Sequence, residues 1–307
     1  MAEQLYQREV YGATLVELGK QNPDIVVLDA DLSGSTKTAV FGKAFPARFF
    51  NVGVAEQNMM GIAAGLASCG KTVFASTFAM FASGRAWDQV RNTVAYNNFD
   101  VKIVATHAGV SVGPDGASHQ ALEDIALMRV IPPMKVIVPC DGPQTREAVI
   151  AACAVKGPCY IRLGRAKVPT LENKGEFKLG KAQILAQGND VAIIACGIMV
   201  AEALTAATNL AAKGIKARVI NMHTIRPLDK DAVLDAARST RGLVVCEEHS
   251  TAGGLAAAVE EVVSEAHPVR IIRIGIKGRF GQSGDPLELM KEYGITASDI
   301  EKAALSL

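Results

Sequence analysis

A chain of 307 residues with 49% hydrophobic side chains is long enough for two domains, each with its own core. Its net charge of +1, with both signs interspersed, excludes a nucleic-acid or membrane surface as the main partner. Met1-Ala2-Glu3-Gln4 has neither the basic nor the apolar region of a secretory leader, and no run approaches about 18 apolar residues, so a cytoplasmic protein is expected.

Short aliphatic and β-branched runs predict strands over 25–30, 49–54, 72–76, 101–106, 135–139 and 159–163. Between them, helix-length patterns cover 55–68, 78–96, 120–129 and 144–155. This alternation implies a parallel sheet with helices on both faces. Pro169, Asn173, Gly175 and nearby charges break the pattern and read as an exposed linker. A second alternation follows, with strands over 191–196, 217–222, 242–247 and 270–274 and helices over 200–213, 230–238 and 254–266; Asp229 is placed to cap the second of these. The expected division is a first α/β domain over 1–172, a linker over 173–187 and a second α/β domain over 188–307. The cysteines (Cys69, Cys140, Cys153, Cys159, Cys196, Cys246) form no Cys-x-x-Cys, read as reduced thiols, and suggest no metal site.

Four segments bear chemistry. In Asn51–Gly61 a strand runs straight into a small-residue helix with Glu56 at the joint, at the strand end where open α/β sheets build their sites. A glutamate there has an ordinary reading, serving the helix N-terminus, but apolar surroundings would favour its protonated form and let it share a proton with a buried base. In Ser76–Phe81, Phe78 and Phe81 share a face if the segment is helical, either as core packing or as a wall against a flat heterocycle. His107, then Asp115 and His119 in a Gly/Pro-rich loop after a strand, suit a hydroxylated substrate, although each has an ordinary turn or helix-start reading. Arg162 and Arg165 end a strand, where an arginine binds a phosphate or makes a surface ion pair.

Taken together, Asn51–Gly61, Phe78–Phe81, Thr106–Gln120 and Arg162–Arg165 resemble transketolases in order and spacing, as do Asp29–Ser35 near the start and Ile225–Asp229 and Glu247–His249 in the second domain. The resemblance covers essentially the whole chain. It implies a thiamine-diphosphate-binding (pyrimidine-binding) parallel-sheet domain followed by a second α/β domain of the transketolase C-terminal type. It also implies roles. Glu56 matches the glutamate that bonds N1′ of the aminopyrimidine, Phe78 and Phe81 match part of the ring pocket, and Asp31 matches a residue near the cofactor. His107 and His119 match histidines of the sugar channel that move protons and bind hydroxyls. Asp115 matches the residue that reads a sugar hydroxyl, and Arg165, Arg8 and Ser35 match groups that hold the sugar phosphate. The third ring-pocket aromatic of the family corresponds to Gly84, leaving Met80 or a partner residue to fill the space.

The family's Gly-Asp-Gly…Asn-Asn motif, which binds Mg²⁺ and diphosphate, has no counterpart; Asn97-Asn98 lacks the upstream half. The resemblance is therefore to the C-terminal subunit of a split transketolase. It implies a partner chain carrying that motif, an α₂β₂ assembly, and transfer of a glycolaldehyde unit between phosphorylated sugars. The rival readings are the β subunit of a 2-oxo acid dehydrogenase, deoxyxylulose phosphate synthase, or a non-catalytic partner subunit. The His107 and Gly-Pro-Asp-Gly-x-x-His pattern favours transketolase over the other two enzymes. A dinucleotide-binding protein fails for want of Gly-x-Gly-x-x-Gly after an opening strand.

Overall fold

Continuous runs of Val, Ile, Leu and Ala need cover on both faces, and that requirement organises the chain. The computed structural model describes residues 3–172 and 175–307; Met1, Ala2, Lys174 and Asn173, the last named above in the linker, lie outside the described residues. The chain begins with β1 (Gln4–Tyr6), α1 (Gln7–Gln21), β2 (Ile25–Asp29), α2 (Ser33–Thr36), α3 (Ala39–Ala44), β3 (Phe49–Asn51) and α4 (Glu56–Ser68). It continues through β4 (Thr72–Phe78), π-helical stretches at Phe81–Arg85 and Gln89–Ala95, β5 (Val101–Thr106) and α5 (Asp124–Arg129). Next come β6 (Lys135–Ile137), α6 (Gly142–Ala154), β7 (Cys159–Arg162) and β8 (Lys167–Pro169). The second half runs β9 (Gln183–Ala186), β10 (Val191–Ala195), α7 (Met199–Ala211), β11 (Ala217–Asn221), β12 (Thr224–Arg226), α8 (Lys230–Ser239) and β13 (Leu243–Ser250). It ends with α9 (Leu255–Ala266), β14 (Ile271–Ile276), α10 (Pro286–Glu292) and α11 (Ala297–Leu305).

A seven-stranded sheet has the order β12-β6-β7-β5-β4-β2-β3, and a five-stranded sheet the order β14-β13-β10-β11-β9. Both are parallel except at one edge: β12 runs antiparallel to β6, and β9 antiparallel to β11. Every residue of β2, β4, β5 and β10 is buried, as expected of strands covered on both faces. Helix starts are set by short polar side chains: Asp141 accepts the Gln144 N–H at α6, and Asp229 accepts that of Ala232 at α8, as its position predicts. Thr296 and Asp299 close a reciprocal capping box at α11.

Three expectations are corrected. Phe78 is not helical; it is the last residue of β4, and the expected helix over 78–96 is largely π-helical. The helix expected from 120 begins at Asp124, because Gln120 is used as a loop anchor, its side-chain amide donating to the carbonyls of Val110, Gly113 and Gln282. The 173–187 segment is not wholly an exposed linker: β9 lies within it and Gln183 is buried against Gln144 and Asn221.

The two halves are fused. The second-half strand β12 extends the first sheet, and Val138 N–H donates to His223 O at 2.7 Å beside it. One apolar core runs from Val26 and Met59 in the first half to Val245 and Val259 in the second. Among the described residues, no helix is long and apolar enough to cross a membrane.

Candidate active site

The carboxyl ends of β3, β4 and β5 bring most of the expected residues to one wall. After β3 the chain turns sharply at Gly53, whose φ of 75° favours glycine, and enters α4 at Glu56. Asn51 braces the turn, accepting the Gly53 N–H at 3.0 Å and donating to Asp31 at 2.8 Å. Asp31 is thereby tied to the strand–helix junction, with its own backbone at φ 64° and its side chain exposed. Buried Asp29 shapes the segment holding Asp31 and Ser35 by accepting the Thr36 and Thr38 hydroxyls at 2.7 and 2.8 Å. Burial raises its carboxyl pKa against those hydrogen bonds.

Glu56 is 1% exposed, and its Oε2 accepts a hydrogen bond from Arg85 Nη1 at 2.7 Å. The Arg85 guanidinium also sits 4.6 Å above the centre of the Phe81 ring. Phe81 stacks on Phe78 with centroids 5.9 Å apart and planes 17° from parallel. Phe78 in turn stacks on His107 at 3.8 Å. His119 meets both phenylalanines edge-on, at 6.1 Å from Phe78 and 5.4 Å from Phe81. Glu56, Arg85, Phe81, Phe78, His107 and His119 thus form an unbroken series of contacts, with Arg85 bridging the carboxylate to the rings. Met80 packs beside Gly84, where a Cβ would stand 2.9 Å from the Met80 methyl.

His107 follows β5 at φ 60°, with Nδ1 2.8 Å from the Thr106 hydroxyl. Burial first, then the positive charges of Arg8 and Arg165 and the neighbouring His119, push its pKa down to about 3. Its imidazole is therefore neutral at pH 7, able to accept on one nitrogen and donate from the other. Arg165 donates to Val112 O at 2.9 Å, and Arg8 to Ser35 O at 3.2 Å, which joins two of the expected phosphate ligands. Asp115 is exposed in the turn between Gly113 and Gly116. No group of three or more potential metal ligands exists among the described residues.

Sequence reasoning missed Arg85, because nothing local marks an arginine whose partner lies 29 positions away. It also passed over Glu248. Its carboxylate reaches the loop after His107, accepting the Ser111 N–H at 2.6 Å.

Two domain families match the chain: "Transketolase, pyrimidine binding domain" over residues 3–170 and "Transketolase, C-terminal domain" over residues 180–300. The chain belongs to the transketolase family. A Methanocaldococcus jannaschii protein whose name assigns it as a transketolase C-terminal section is 52% identical over 299 residues, covering 96% of this chain and 94% of that protein. A 6-deoxy-6-sulfo-D-fructose transketolase subunit from a Clostridium species is 43% identical over 303 residues, covering 98% and 94%. Among solved structures, a split-gene transketolase described as an inactive β4 tetramer superposes with a TM-score of 0.92 at 52% identity, over 98% of each chain. Membership of the transketolase family makes this chain a subunit of transferase type and ties it to thiamine diphosphate.

Proposed function

We propose that this chain is the C-terminal subunit of a two-chain transketolase that moves a glycolaldehyde unit from a ketose phosphate to an aldose phosphate. The observation that carries the reading is Glu56: a carboxylate 1% exposed, beside a stacked phenylalanine pair and on one wall with His107 and His119. These residues suit an aminopyrimidine. The Arg85 guanidinium, planar and rich in N–H donors, already rests on Phe81 while donating to Glu56, which is the arrangement a flat nitrogen heterocycle would adopt there.

When bound, thiamine diphosphate supplies the electron sink that lets a carbon–carbon bond beside a carbonyl break. Glu56 would hold a proton at N1′ of the aminopyrimidine from its buried position. Phe78 and Phe81 would orient the ring, and Asp31 would lie near the cofactor. His107, neutral, and His119 bind the sugar's hydroxyls and carry protons to and from them. Asp115 reads a further hydroxyl from the channel rim. Arg8, Arg165 and Ser35 hold the sugar phosphate.

The diphosphate and Mg²⁺ fall to a partner chain carrying Gly-Asp-Gly…Asn-Asn, in an α₂β₂ assembly working in the pentose phosphate pathway. Relatives named as subunits support the need for a partner. The chain boundaries follow the same reading: pyrimidine-binding residues 1–172 and C-terminal residues 188–307, joined through 173–187.

The test is co-expression with such a partner and an assay of glycolaldehyde transfer with added thiamine diphosphate and Mg²⁺. Transfer by the wild-type complex, and its loss in a Glu56→Gln complex that still assembles, is expected. Near-normal turnover in that variant would overturn the assignment.

A further inference from the structure

Three successive side chains at the end of β13 grip three different segments. Glu247 accepts the N–H groups of Leu255 and Ala256, at 2.7 and 2.9 Å, and so caps α9 within its own domain. His249 Nε2 accepts the Ala126 N–H of α5 at 3.3 Å. Glu248, between them, points to the opposite face of the strand, toward the loop that follows His107. Its Oε1 accepts the buried Ser111 N–H at 2.6 Å. It lies so close under Gly109, at φ 84°, that a Cβ there would overlap the carboxyl group. Arg162 Nη2 donates to the Glu248 main-chain oxygen at 2.9 Å, and Arg162 Nε to Asp124 at 2.8 Å, so the base beneath the loop is itself held.

The rest of the loop's underside also comes from the second half. Gln120 donates to Gln282 O at 2.9 Å, a Cβ at Gly116 would stand 2.6 Å from the Ser283 hydroxyl, and one at Gly113 would stand 3.1 Å from Pro286. We propose that Glu248 is the positioning residue for the loop bearing Asp115 and His119, and for His107 at its start. Through it the second domain sets the shape of the sugar channel without touching the substrate. This rests on the sugar-transfer reading above.

Burial pushes the Glu248 carboxyl up to about 7, with Arg162 and the Ser111 N–H opposing and Asp124 reinforcing. An oxygen remains available to Ser111 in either protonation state, so a glutamine keeps the essential acceptor and an alanine removes it.

Hydrogen exchange read by mass spectrometry on the isolated chain gives the first measurement. Glu248→Ala speeds exchange at amides 109–120 while β10 and β4 stay protected, and Glu248→Gln restores the loop's protection. In the complex with the partner chain, Glu248→Ala raises KM for the ketose phosphate about tenfold. Exchange of the cofactor's C2 proton, which depends on Glu56, stays at the wild-type rate, and Glu248→Gln recovers KM. Unchanged loop protection with unchanged KM overturns the proposal, and so does a general loss of protection in which C2 exchange falls as KM rises. If the alanine variant does not fold, Glu248→Asp, one methylene shorter, must raise KM; a normal KM there is equally fatal. A wild-type complex that fails to exchange the C2 proton defeats the sugar-transfer reading instead, and the exchange experiment on the isolated chain still decides the role of Glu248.

Discussion

Glu56 and Glu248 are both buried glutamates near strand ends, and they differ in what stands beside them. Glu56 meets Arg85, whose side chain is 48% exposed and free to withdraw into solvent. Glu248 is walled in by Arg162 and Asp124, which are 6% and 0% exposed, and by the main chain of the loop above it. Burial alone therefore does not tell a group that does chemistry from one that holds structure. A carboxylate whose partner can leave is available to an incoming molecule, and one whose partners are locked in place is a support.

The same isosteric change at both positions is the sharpest way to break that comparison. Glu56→Gln should reduce turnover by about a hundred- to ten-thousand-fold, read by steady-state kinetics on the assembled complex, with little change in the fold. Arg162→Met strikes the sealed region. It strands Asp124 without its cation and should cost about 3–5 kcal/mol in denaturant unfolding, because a buried charge left alone is expensive. Stability loss below ~1 kcal/mol would show that water reaches this region.

Glu248 itself gives a smaller, pH-dependent effect. Its pKa is raised from 4.5 to about 7 by burial, so the folded chain binds the proton more tightly than the unfolded one. Its contribution to stability is full below the unfolded value and is lost as pH rises through about 7, by at most about 3 kcal/mol. Glu248→Gln should flatten that part of the stability profile, and an unaltered slope would mean that other groups produce it. The least conspicuous expectation concerns His107. With its pKa near 3, its imidazole resonances should not titrate between pH 5 and 8 in NMR spectra, and an inflection near 6.5 would show the site to be wetter than the packing indicates.

Much of the fold was legible because fully covered parallel strands are written as unbroken apolar runs, as in Ile25–Asp29 and Val191–Ala195. The short strands β9 and β12 were not, since three or four residues carry no readable period and their pairing partners are remote. Helix α1 escaped notice because apolar and polar residues do not separate cleanly around Gln7–Gln21. At the site, Glu56 was visible from its place between strand and helix. Phe78 and Phe81 were paired for the wrong local reason, since a strand end and a π-helical start bring together what a helix face was expected to align. The support from the second domain was hidden, because Ser111 and Glu248 are 137 residues apart and nothing near either names the other.

The strand β12, borrowed by the first sheet from the second half of the chain, limits how the molecule can be divided or moved. Two lobes that share a sheet edge and one continuous apolar interior cannot open about a hinge at residues 173–187 without tearing hydrogen bonds from β6. Exchanging the rear lobe for that of a relative would also replace an outer stave of the front one. Recombination within this chain should therefore succeed at exposed loop tips and fail at the apparent junction between its lobes.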